Sequence, residues 1–124
     1  MTFEILNKLK EGEVPLGVRQ SAARGVLPVG QEELLGILVY LQNDPEAEIR
    51  RTAGQTMADE YSDALIRSII ESHTAPIEVL EFFGRPPYRS TELLESLIQN
   101  KTTPDSTIAS LAEQVEAEIG RAHV

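Results

Sequence analysis

Apolar residues along this chain recur three and four positions apart rather than alternating. In EELLGILVYLQN, Leu34, Leu35, Leu38 and Leu41 fall on one stripe, the spacing of a helix with one buried face. No segment of comparable length alternates with period two, so an all-α protein is expected. Prolines at 15, 28, 45, 76, 86, 87 and 104 mark joints and helix starts, where a missing amide hydrogen costs nothing. Ser62, Ser90 and Thr2 are predicted N-caps, each with a side-chain oxygen free to take an early helix amide. Gly12, Gly25, Gly30 and Gly84 fall where helices are expected to end.

The helical segments resemble one another. A shift of 31 places Val18, Arg19 and Ala22 on Ile49, Arg50 and Ala53, and Leu34, Leu35, Leu38 and Val39 on Leu65, Ile66, Ile69 and Ile70. A shift of 28 places Ser62, Leu65, Ile66, Ile69 and Ile70 on Ser90, Leu93, Leu94, Leu97 and Ile98. That register runs on through Thr74 onto Thr102, Pro76 onto Pro104, Leu80 onto Ile108 and Phe83 onto Leu111. Helices in general share apolar spacing, but they do not share caps and turns as well. A single domain of four stacked helix pairs is therefore predicted, with units at about 1–27, 28–60, 61–89 and 90–113. First helices are expected near Thr2, Gln31, Ser62 and Ser90, and second helices at Pro15, Pro45, Pro76 and Pro104. Residues 114–122 are read as a further capping helix.

An acid in the inter-helix turn, then an apolar-Arg pair, then Ala in the second helix resembles the HEAT-like repeat family. Asp44, Ile49, Arg50 and Ala53 fit this pattern, and Glu13, Val18, Arg19 and Ala22 fit it with Glu in place of Asp. SHTAPIEVLEFF and NKTTPDSTIASLA carry no Arg and look more like the leucine-rich variant repeats of bacteria. The resemblance implies a right-handed α-solenoid and an inter-repeat ladder in which Glu13 and Asp44 meet Arg19 and Arg50. It also implies that the second helices line a concave surface. Function is not implied, because it resides in sites carried on a fold rather than in the fold.

Composition changes the picture mainly through charge. Twenty acids against eleven bases give a net charge of −9, spread over both halves. That balance argues against general nucleic-acid binding, which depends on neutralising phosphates, and against docking on anionic lipid. With no cysteine, neither a disulfide framework nor a cysteine-ligated metal is available. The opening MTFEILNKLKEGE lacks a basic stretch followed by a long apolar one, and the longest apolar run, ILVYL, is too short to cross a bilayer. A cytoplasmic protein is expected.

No catalytic constellation can be assembled from these residues. His73 and His123 stand fifty positions apart with no further ligand at helical spacing, so neither metal nor cofactor is expected. The acid pairs Glu32-Glu33, Asp59-Glu60 and Glu116-Glu118 could do acid-base work only in a desolvated cleft, and solvated surface positions explain them better. FFGRPPYR, with its paired prolines and Tyr88, could serve as a binding epitope, but reads better as a rigid connector with Phe83 in the core.

Arg19, Arg24, Arg50 and Arg51 all fall in the predicted second helices of units one and two, four of the eleven bases on one expected face. Arginine forks suit carboxylate or phosphate partners. Arg24 and Arg51 lie outside the ladder spacing and are the expected partner-binding pair; Arg19 and Arg50 match it. The expected function is a non-catalytic protein-protein interaction module. The alternative is a small nucleic-acid-associated protein using the same arginines as phosphate contacts. Leu111, Val115 and Ile119 form one stripe at the carboxyl end. The tail either caps unit four or leaves an apolar edge open to self-association, and the flanking acids favour capping.

Overall fold

In the computed structural model, residues 3–85 and 90–122 are described, with side chains described to residue 113. The described residues form eight α-helices and no strand: α1 (Glu4–Lys10), α2 (Leu16–Ala23), α3 (Gln31–Leu41), α4 (Ala47–Glu60), α5 (Asp63–Glu71), α6 (Ile77–Phe83), α7 (Thr91–Gln99) and α8 (Asp105–Ala122). The chain divides into two compact units, Met1–Leu65 and Ile66–Val124, with the division inside α5.

Unit one is organised around α3, which packs on α1, α2 and α4. The expected stripe is too narrow here. Leu35, Ile37, Leu38, Val39 and Leu41 are all buried, because α3 has neighbours on most of its circumference. Around it, α1 contributes Leu6 and Leu9, α2 contributes Ala22 and Ala23, and α4 contributes Ile49, Ala53 and Met57 at successive turns. The paired alanines of α2 let α4 approach closely, and Thr56 Oγ1 donates to the Ala23 carbonyl at 2.5 Å. Gly25, just past α2, has φ +75°, and a Cβ there would stand 3.2 Å from Thr56 Cγ2. The position therefore requires glycine for conformation and is crowded as well.

The predicted joints hold in detail at several places. Pro15 and Pro76 immediately precede α2 and α6, and Ser62 and Ser90 accept from the amides of Leu65 and Leu93 at 3.1 and 3.2 Å. Thr2, and Pro86, Pro87, Tyr88 and Arg89 of the FFGRPPYR joint, lie outside the described residues. Three expectations need correction. Gly30 begins α3 rather than ending a helix, whereas Gly84 ends α6 as expected, with φ −84°; among the described residues Gly12 and Gly25 are the left-handed glycines. Val18, matched to Ile49 by register, is 39% exposed where Ile49 is 2%. Residues 114–122 form no separate helix: α8 is continuous from Asp105 to Ala122, since nothing between Leu111 and Glu118 breaks it.

In unit two, Ile66, Ile69 and Ile70 of α5, Val79, Leu80 and Phe83 of α6, Leu93 and Leu97 of α7 and Leu111 of α8 are buried. Asn100, between α7 and α8, donates its amide to the carbonyls of Ile70 and Ser72 at 2.6 and 3.0 Å and accepts from the Thr102 amide at 2.9 Å. Carbonyls left open at the end of α5 are thus satisfied by one side chain. Gly84 admits Thr107 of α8: a Cβ there would overlap Thr107 Cγ2 and lie 3.1 Å from the Leu80 carbonyl oxygen.

Candidate interaction site

Asp44 precedes α4, and the surrounding turn converges on it. Its side chain is 4% exposed, and Arg19 Nη1 of α2 donates to its Oδ2 at 2.8 Å across 25 positions of sequence. Its other oxygen accepts the Glu46 amide at 2.9 Å, an Asx turn that leads into α4. Arg50 folds back from α4, donating to the main-chain carbonyls of Asp44 and Pro45 at 2.5 and 3.2 Å. One carboxylate thus holds α2 from one side and the α4 entry from the other. A buried carboxylate needs this degree of bonding to stay charged without a large desolvation cost. Glu13, expected to act similarly before α2, is exposed and accepts from no arginine among the described residues.

The other two arginines are differently placed. Arg24 is exposed, donating to Ser21 Oγ at 3.4 Å, and Arg51 stands 3.5 Å from Glu48 with both side chains about four-fifths exposed. Arg19 and Arg24 border different depressions. Arg24 borders a shallow groove of about 230 Å³ between α2 and α4, with Gln20, Glu48 and Thr52 on its sides and Ala23 and Ile49 as its floor. Arg19 borders a separate depression of about 430 Å³, formed with Leu9, Gly12, Val14, Tyr40, Asn43, Asp44 and Pro45. Five helical positions separate Arg19 from Arg24, a rotation of roughly 140° about α2, so one helix serves both.

Several other polar side chains are engaged in holding the fold. Glu33 Oε2 accepts the amides of Ile5 and Leu6 at 3.0 and 3.2 Å, capping α1 from α3, a long-range contact that no local pattern announces. Tyr61 donates to the Gln31 carbonyl at 2.9 Å, and its phenol is pushed up to about 12, by burial first and then by the Glu60 charge. Glu71 is held below the usual carboxylate range by hydrogen bonds from Ser96 and then Arg67. Asp59 accepts from Gln55 at 2.9 Å; the side chains of Glu116 and Glu118 lie outside those described. His73 is exposed just past α5. Among the described residues no three His, Asp or Glu side chains gather as a metal site, and no helix is long and apolar enough to cross a membrane. Comparison with family models, curated proteins and solved structures finds no match to this chain.

Proposed function

We propose that this is a non-catalytic, cytoplasmic protein-interaction module, a right-handed solenoid of about four HEAT-like helix pairs that binds another protein through the α2–α4 groove. The observation that carries the reading is the groove itself. Ala23 and Ile49, almost wholly buried, close its base between walls of exposed Gln20, Arg24 and Glu48 and half-buried Thr52. A shallow groove with a polar, mixed-charge rim over a small apolar base suits a protein segment, whose polar groups meet the walls. The Arg19–Asp44 bond supports the repeat reading, since it ties the second helix of one proposed pair to the turn within the next. A phosphate backbone fits less well, because Glu48 stands beside Arg51 and across the groove from Arg24, and the chain carries −9 overall.

A photo-crosslinking amino acid at Thr52, introduced in the native host, tests the reading. A discrete protein adduct is expected; an adduct to nucleic acid, or none, overturns it.

A further inference from the structure

The larger depression, around Arg19, shares no lining residue with the α2–α4 groove. Its volume of about 430 Å³ is that of a site for a small molecule or a short piece of chain. Leu9, Val14 and Pro45 supply apolar surface, and the absent side chain of Gly12 leaves one edge open. Three polar groups border it without protein partners among the described residues. They are the Tyr40 hydroxyl, the Asn43 amide and Arg19 Nη2, since Nη1 alone is bonded to Asp44. Together they offer donors and acceptors over an apolar bed.

Local charge decides what kind of group belongs there. Asp44 already neutralises Arg19. These are the only two charged residues of its lining, so the lining itself offers no unmatched charge to repay a charged ligand for losing its water. A neutral group with both a carbonyl and an N–H, beside an apolar side chain of moderate size, suits the lining best. A main-chain amide flanking an aliphatic residue has that composition.

We propose that this depression is a binding site for a short, uncharged segment of peptide, seating one aliphatic side chain against Leu9, Val14 and Pro45. The adjoining amides bond to Tyr40, Asn43 and Arg19 Nη2. The site stands whether or not the α2–α4 groove takes a protein.

Amide chemical shifts of the ¹⁵N-labelled full chain, titrated with N-acetyl-leucine-N-methylamide, test this. Saturable shifts are expected in residues 9–14 and 40–45, with half-saturation on the order of millimolar for so small a probe. Asn43→Ala and Tyr40→Phe, which leave the Arg19–Asp44 pair intact, should each weaken binding about fivefold at an unchanged melting temperature. N-acetyl-leucine and leucine-N-methylamide, charged at one end, should bind more weakly. The proposal is overturned if these residues show no saturable shift, if the two variants bind as the parent does, or if either charged probe binds more tightly.

Discussion

Arg19 and Asp44 meet at 2.8 Å, with the aspartate almost fully enclosed and the arginine one-fifth exposed. Their bond joins α2 to the turn that launches α4, which also relies on Asp44 for its Glu46 amide. Asp44→Ala removes both supports and leaves a largely buried guanidinium unmatched. A loss of about 2–3 kcal/mol is expected, somewhat below that for a fully buried pair because part of Arg19 reaches solvent.

The arginines should separate by role in the same experiment. Arg50→Ala removes bonds to two carbonyls and should cost about 1 kcal/mol. Arg51→Ala loses only an exposed contact with Glu48 and should cost less than about 0.5 kcal/mol. Urea melts of the variants decide the order. If Arg51→Ala is as damaging as Asp44→Ala, the roles assigned to these side chains are wrong.

Several of these relationships were legible in the sequence and others were not, for physical reasons. Helix starts at Pro15, Pro76, Ser62 and Ser90 could be read because caps and prolines act locally. The pairing of Ile49 with Ala53 could be read because one turn of helix fixes it. Burial depth could not. Val18 and Ile49 share a register, yet Val18 is exposed, since spacing says which face a residue lies on but not whether another helix covers that face. Glu33 capping α1 and Asn100 closing the end of α5 act across 27 to 30 positions, and no local pattern announces them. That Arg19 and Arg24 border different depressions follows from their spacing, which turns them apart around α2.

Gly84 provides a test of packing in unit two. Gly84→Ala drives a methyl into Thr107 and against the Leu80 carbonyl, at an expected cost of about 1–3 kcal/mol. Adding Thr107→Ser removes the colliding Cγ2 and should restore part of the loss. Independent, additive effects of the two changes in thermal melts would contradict this contact.

Tyr61 predicts behaviour in alkali. Its folded pKa of about 12 lies above the unfolded value of 10.0, so the fold favours the neutral phenol. The associated stability is complete below pH 10 and is lost as pH rises through about 12. Absorbance titration near 295 nm should show one of the three tyrosines ionising late, or together with unfolding. Tyr61→Phe should remove that late step. Three ionisations near the ordinary value in a still-folded chain would contradict the burial of this phenol.

Asn100→Ala should cost about 2–3 kcal/mol, because the carbonyls of Ile70 and Ser72 both lose their donor and the Thr102 amide its acceptor. Hydrogen exchange should rise around residues 70–72 and 100–103. Unchanged protection there would show that the side chain is dispensable.

The proposed interaction at the α2–α4 groove is tested most directly by calorimetric titration of the protein captured at Thr52 against the parent chain and Arg24→Ala. Arg24 is exposed and, among the described residues, its side chain bonds only to Ser21, so its replacement should leave the melt unchanged. Affinity for the partner should fall about tenfold, as when a charged contact is lost at an interface. Equal affinity of the two proteins for that partner would contradict a binding role for the groove.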